Sequence, residues 1–357
     1  MSLISLEVSE AILCQRAAIA EKLAAREFAR RPELEKRYGR VGRDKCVQDA
    51  GYHLSYLAEA VATDNPNLFA DYIGWTKVML ARRGVPTSDL TLHLESMGEV
   101  LNEILPAALS LPARQIVEQS LLRLPDYPDD LPSFMGPGHP HSLLAHQYLQ
   151  SLLRGERHIA SQLILDAVKR GVTIKEIYLD VFQRTQYEIG RLWQTNQICV
   201  AREHYCTAAT QLIMSQLYPY IFTGEKHGGT FIGTCVAGDL HEIGVRMITD
   251  YFEMAGWDTY YLGANTPHES VVRTVTERKA NVLGISATIT YHVHDVEQLI
   301  RKVRAEPTCG GVKIIVGGYP FNIAPGLWRA VDADGSSRDA AGVVTLVEEL
   351  TGRKATS

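Results

Sequence analysis

The chain has 357 residues, 46% of them apolar, and a formal net charge of −5 at pH 7, the profile of a globular protein large enough for two or three domains. That acidic balance excludes a polyanion-binding surface spread over the whole molecule, and no run approaches the ~20 consecutive apolar residues of a membrane span. Six scattered cysteines (Cys14, Cys46, Cys199, Cys206, Cys235, Cys309) form no C-x-x-C pair, which argues against a zinc knuckle or a disulfide scaffold.

The N-terminus "MSLISLEVSEAILCQR" lacks a small-residue cleavage site, so the expected location is cytoplasmic. From Val8 to about Arg123 apolar residues recur at three and four, which predicts an all-α domain of globin-like size over residues 1–123. Basic residues gather between Arg26 and Lys45, but Glu27, Glu33 and Glu35 dilute them into a solvated face. Arg83-Gly84 followed by Pro86 closes one helix, and Thr87 or Ser88 is placed to cap the next. His53, Tyr56, Trp75, Arg82, Arg83 and His93 are polar aromatic and basic residues at helical spacing. They are candidates for a tetrapyrrole pocket, arginines meeting propionates and an imidazole or tyrosine reaching the pyrroles. A plain packed domain accounts for the same residues, since aromatic stripes at helical spacing are commonly core.

Residues 124–141, with Pro125, Pro128, Pro132, Pro137 and Pro140, read as a linker. Its histidines His139 and His141, with His146 beyond, lack a fixed fourth ligand and read as solvated. A helical block follows over residues 142–226, divided near Gly155, Gly171-Val172-Thr173 and Asn196, which predicts a four-helix bundle. After Gly228-Gly229 the period changes. "TFIGTCVA", "DTYYLG", "NVLGIS" and "VKIIVGG" are short β-rich runs separated by helix-length segments, so residues 227–357 are expected to form a Rossmann-like doubly wound parallel sheet. In such sheets ligands bind beyond the carboxyl ends of the strands. Asp239-x-His241-x-x-Gly244, Ser286-x-Thr288 and Gly317-Gly318 all fall at such ends.

This combination resembles the cobalamin-binding domain shared by methionine synthase, the corrinoid mutases and CarH-type photoreceptors. "YYLGANTP" and "DADGSSRDA" are similar to that family too, so the resemblance covers residues 229–351. It implies His241 as the cobalt ligand, with Asp239 fixing its tautomer. It implies that the cofactor's own base swings away and that its nucleotide tail enters the sheet beside Gly244, Ser286, Thr288, Gly317 and Gly318.

In the bundle, "RLWQTNQICVAREHY" places Trp193 before Glu203-His204 in a W-x9-EH pattern, with Val200 between. This resembles the helical cap of CarH-type sensors, which bind adenosylcobalamin. The resemblance implies Trp193 over the corrin, Val200 against the adenosyl group and Glu203 on its ribose. Gln194 stands where those sensors often carry a cobalt-capturing histidine; His204 is the substitute on offer. A helical domain ahead of such a cap and sheet resembles the photocobilins, which implies biliverdin as a second chromophore. The expectation is therefore a non-enzymatic light sensor that changes conformation and homo-oligomeric state and signals through a separate partner, without membrane or direct nucleic-acid binding. Two alternatives remain: a corrinoid methyl carrier of a methyltransferase system, and a cobalamin- or haem-responsive transcriptional regulator without photochemistry.

Overall fold

The computed structural model describes residues 3–222, 226 and 229–352; Gly228, read above as the start of the period change, lies outside them. Six helices open the chain: α1 Leu3–Cys14, α2 Arg16–Arg30, α3 Glu33–Ala62, α4 Pro66–Ala81, α5 Thr87–Ile104 and α6 Ala107–Arg123. Their buried faces follow the helical period, with Ile19, Leu23 and Phe28 in α2 and Leu54, Leu57 and Val61 in α3. Gly39 adopts φ +61 and kinks α3. Gly84, at φ +78, follows the end of α4. The expected Thr87 or Ser88 cap is corrected: Thr87 already opens α5, and the residue before it is Pro86 in extended conformation with no side-chain cap.

Next come α7 Ser142–Leu153, α8 Arg157–Lys169, α9 Ile174–Glu176, α10 Arg184–Gln194, α11 Val200–Gln216 and α12 Tyr218–Ile221. A π-helical stretch, Ile177–Gln183, joins α9 to α10, so the third helix of this block is widened by a segment its sequence period does not announce. Thr173 and Glu176 form a reciprocal capping box at its start. Tyr148, Tyr178 and Phe182 fill the core, and Met135 packs into it from the proline-rich segment. That segment is strapped down rather than free: the Phe134 N–H donates to Glu188 at 2.9 Å, and the Phe134 carbonyl accepts from the Arg184 guanidinium.

The sheet region alternates β1 Thr230–Cys235, α13 Ile243–Met254, β2 Asp258–Gly263, α14 His268–Glu277, β3 Val282–Ser286, α15 Val293–Ala305, β4 Lys313–Gly317, α16 Tyr319–Ile323, α17 Leu327–Ala330, β5 Gly335–Ser336 and α18 Ala340–Thr351. All four strand pairings are parallel and the order is β2-β1-β3-β4-β5. The connections leaving β1 and β3 therefore run in opposite directions, and the crevice beyond the ends of these two strands is the switch point at which such sheets bind ligands. Register brings Cys235 opposite Ser286, and Ser286 opposite Gly317.

Two strand glycines are required by packing. A Cβ on Gly284 would meet the Phe231 ring at 2.6 Å, and one on Gly233 would meet the Thr249 hydroxyl at 2.2 Å. Gly284→Ala is expected to cost about 1–3 kcal/mol by overpacking a buried strand, read as a lower urea midpoint; an unchanged midpoint would show that the Phe231 ring can yield.

The chain divides into two compact units: Met1–Asp129 with Ala287–Ile300 and Tyr319–Ala333, and Asp130–Ser286 with Arg301–Gly318 and Asp334–Ser357. The first unit thus includes two stretches of the expected sheet domain, and the chain leaves the second unit directly after Ser286 and again after Gly318. No helix among the described residues is long and apolar enough to cross a membrane.

Candidate functional site

The loop after β1 places Asp239 and His241 together at the switch point. The Asp239 side chain is fully buried, whereas that of His241 is 56% exposed. His241 donates from Nδ1 to Asp239 Oδ1 at 2.8 Å, and its backbone N–H donates to the same oxygen at 2.9 Å. One carboxylate therefore fixes both the ring orientation and the tautomer, leaving Nε2 as the ring nitrogen for a ligand. The Asp239 hydrogen bond raises the imidazole pKa above its ordinary value against the opposing effect of burial, and the charges of Asp239 and Glu203 act in the same direction.

Two residues that sequence reasoning did not single out brace this loop. Asn265, in left-handed backbone at φ +51, donates its N–H to the Asp239 carbonyl at 3.1 Å and accepts the Gly238 N–H at 2.8 Å. Glu242 accepts from the Tyr261 hydroxyl at 2.8 Å, the Ala264 N–H at 2.9 Å and the Gln211 amide of α11 at 2.6 Å. The only advance signal was that Asn265 lies in the family-like "YYLGANTP"; nothing marked Glu242 beyond its place next to His241.

Around the pair, Gly244 would meet nothing within 4 Å of an added Cβ, so the start of α13 is open. Ser286 is buried at the end of β3 beside Gly317, and Gly318 sits at φ +108, a conformation that disfavours any side chain. Thr288 lies two residues beyond β3, in a stretch belonging to the other compact unit.

The first turn of α11 gathers Val200, Glu203 and His204. Val200 is 51% exposed. The Glu203 carboxylate accepts from His204 Nδ1 at 2.6 Å and from the Thr207 hydroxyl at 3.0 Å. The negative charge of Glu203 adds the smallest contribution to the rise of the His241 pKa. Trp193 is half-buried near the end of α10, before the turn in which Asn196 takes φ +59, and Gln194 is buried.

In the N-terminal helices, His53, Tyr56, Trp75 and His93 do come together. His93 bridges a carboxylate and a second imidazole: its Nδ1 lies 2.7 Å from Glu27 Oε1, and its Nε2 lies 2.7 Å from His53 Nδ1. Burial pushes the His53 pKa well below its ordinary value, with the neighbouring His93 acting in the same sense. Tyr56 stacks on Tyr72 at 3.5 Å, and Tyr72 on Trp75 at 6.2 Å. Arg82 and Arg83 are both exposed just after α4, and Arg83 donates to the Met79 carbonyl. Among the histidines read as solvated, His146 faces the Ser142 carbonyl at 2.8 Å and His141 lies 3.6 Å from Glu176. No group of three His, Cys, Asp or Glu among the described residues is placed to hold a metal on its own.

Two family models match, each described as a B12 binding domain, over residues 144–218 and 229–344. A corrinoid protein of Desulfitobacterium hafniense is 24% identical over 216 residues, covering 59% of this chain and 98% of that protein. Dimethylamine corrinoid protein 1 of Methanosarcina mazei is 30% identical over 129 residues, which is 36% of this chain and 58% of that protein. Among solved structures, the Methanosarcina barkeri monomethylamine corrinoid protein shares the fold, with a TM-score of 0.54 at 20% identity over 59% of this chain and all of that one. The site itself fits a corrinoid. A macrocycle that supplies its own in-plane nitrogens needs one fixed imidazole from the protein, and a long tail needs small or hydroxyl residues at the strand ends, as Ser286 and Gly317 provide, with Gly244 leaving the start of α13 open.

Proposed function

We infer that this cobalamin-binding chain holds its corrinoid with His241 beneath cobalt and serves as a corrinoid methyl carrier, presenting the cofactor to separate methyltransferase partners. The observation that carries this reading is the buried Asp239 locked on the half-exposed His241 at the β1/β3 switch point. The relatives favour a carrier, since those matched are corrinoid proteins, several of them named for dimethylamine. When bound, cobalamin supplies a cobalt centre that takes up and releases an alkyl group. Asp239 holds the proton on Nδ1, so the lone pair of Nε2 stays aimed outward. Asn265 and Glu242 hold the loop in place through their hydrogen bonds. In this reading the chain offers a site and is not itself an enzyme.

A second reading is a light sensor using adenosylcobalamin, with biliverdin in the N-terminal helices and light-dependent assembly. The placement of Glu203 favours it. A carboxylate held by Thr207 and His204 suits the hydroxyls of an adenosyl ribose. A bilin site at the Tyr56–Tyr72–Trp75 stack predicts, on titration with biliverdin, a bilin absorption band that Tyr56→Ala alters.

One experiment separates the two. The full chain is loaded in darkness with methylcobalamin or adenosylcobalamin, and its elution volume is compared before and after green and red illumination. A carrier elutes identically throughout and passes its methyl group to a corrinoid methyltransferase. A light-driven shift confined to the adenosylcobalamin sample would overturn the carrier reading in favour of the sensor.

A further inference from the structure

The two stretches of the sheet region that join the N-terminal helices begin directly after Ser286 and Gly318, two of the residues expected to hold the cofactor's tail, and the first contains a third, Thr288. Ala287 follows Ser286, and Tyr319 follows Gly318. The first is gripped by α3 and the second by α4. In the first stretch, the Tyr291 ring stands edge-on to Tyr56 of α3 at 5.3 Å, and Glu59 of α3 accepts the His294 N–H at 3.3 Å. Glu59 thereby satisfies one of the unpaired amides at the start of α15, a cap supplied from elsewhere in the fold. Its other carboxylate oxygen is buried without a hydrogen-bond partner, so the contact is costly to maintain and sensitive to small shifts. In the second stretch, the Tyr319 hydroxyl donates to both oxygens of Asp71 of α4 at 3.0 and 3.1 Å. Asp71 precedes Tyr72, whose ring stacks on Tyr56, and the two grips are thus joined within the N-terminal helices.

We propose that the N-terminal helical unit is a reporter of tail occupancy: a nucleotide-bearing corrinoid seated at Ser286 and Gly318 changes the order of α3 and α4 through Tyr291, His294 and Tyr319. The proposal rests on the corrinoid-binding reading and gives a function to the region that lies outside both matched domains. By linkage, the factor by which tail binding shifts the equilibrium of those grips equals the factor by which the formed grips raise affinity for the tail.

Hydrogen exchange on the full chain tests it, with hydroxocobalamin and with dicyanocobinamide, a corrin lacking the nucleotide. Binding of each is followed separately by its absorption spectrum. Cobalamin is expected to slow exchange about threefold in peptides spanning Tyr52 to Trp75, while cobinamide leaves them unchanged. Bound cobalamin without any change in those peptides, or equal protection by cobinamide, would overturn the proposal. A spectrum showing no cobalamin binding would instead remove the underlying reading, and this one with it. Tyr319→Phe, which deletes one hydroxyl from an exposed residue, is expected to keep binding while weakening the protection of α4; full protection of α4 in that variant would eliminate the Tyr319–Asp71 route.

Discussion

His241→Ala is expected to lower cobalamin affinity by about 100-fold and to abolish the absorption signature of a histidine-ligated corrinoid. Loss of even an outer partner of a metal-binding histidine costs about 10–100-fold, and here the ligand itself is removed. Asp239→Asn keeps the ring but exchanges the carboxylate for an amide, so its affinity is expected to fall by about 10-fold. The pH dependence follows from the imidazole. A proton and cobalt compete for Nε2, and Asp239 holds the proton more tightly than in a free imidazole. Affinity is therefore full above the raised pKa and falls as the pH drops through it. Asp239→Asn should move that loss to lower pH while weakening the plateau. Absorbance titrations from about pH 5 to pH 9 bracket the histidine range; unchanged affinity in His241→Ala would take the imidazole out from under cobalt.

A large effect on stability is expected at Asp250, on the buried face of α13. The Tyr178 hydroxyl donates to it at 2.6 Å from the π-helical stretch. Burial pushes its carboxyl up from 3.8 to about 6, with Glu253 adding to the rise and Tyr178 and Arg246 opposing it. Between those two values the folded chain keeps a proton that the unfolded chain has released. Stability contributed by this group is thus present below 3.8, declines as the pH climbs to about 6, and stays lost above, roughly 3 kcal/mol in all for a shift of this size. Asp250→Asn holds a neutral group at every pH and still accepts from Tyr178. It should raise stability by about 1–3 kcal/mol near pH 8, a gain that shrinks toward pH 4. Urea midpoints at both pH values measure this; a variant less stable than the parent at pH 8 would show the ionised carboxylate to be a net stabiliser there.

Much of the site was legible because its chemistry is local. Asp239 and His241 are two residues apart, and the strand that presents them announces itself by the β-rich run "TFIGTC" after Gly229. The five-stranded sheet was foreseen in four of its members; β5 is only Gly335–Ser336, too short to show a period. Asn265, Glu242 and Gln211 escaped because each is an ordinary polar residue on its own segment, and only folding brings them to one loop. The π-helical turn escaped for a different reason: its residues keep the helical spacing of apolar side chains, and the extra residue per turn is visible only in the backbone.

Sequence alone determined the all-α character of the first hundred-odd residues, the parallel sheet, and the alignment of three motifs at strand ends. Each depends on periodicity and turn chemistry among near neighbours. Tertiary structure alone decided that Met135 anchors the proline-rich segment, that His53 and His93 turn toward each other and Glu27, and that residues 287–300 and 319–333 belong with the N-terminal helices. Those outcomes depend on the summed burial and pairing of side chains far apart in the chain, a quantity no local window contains.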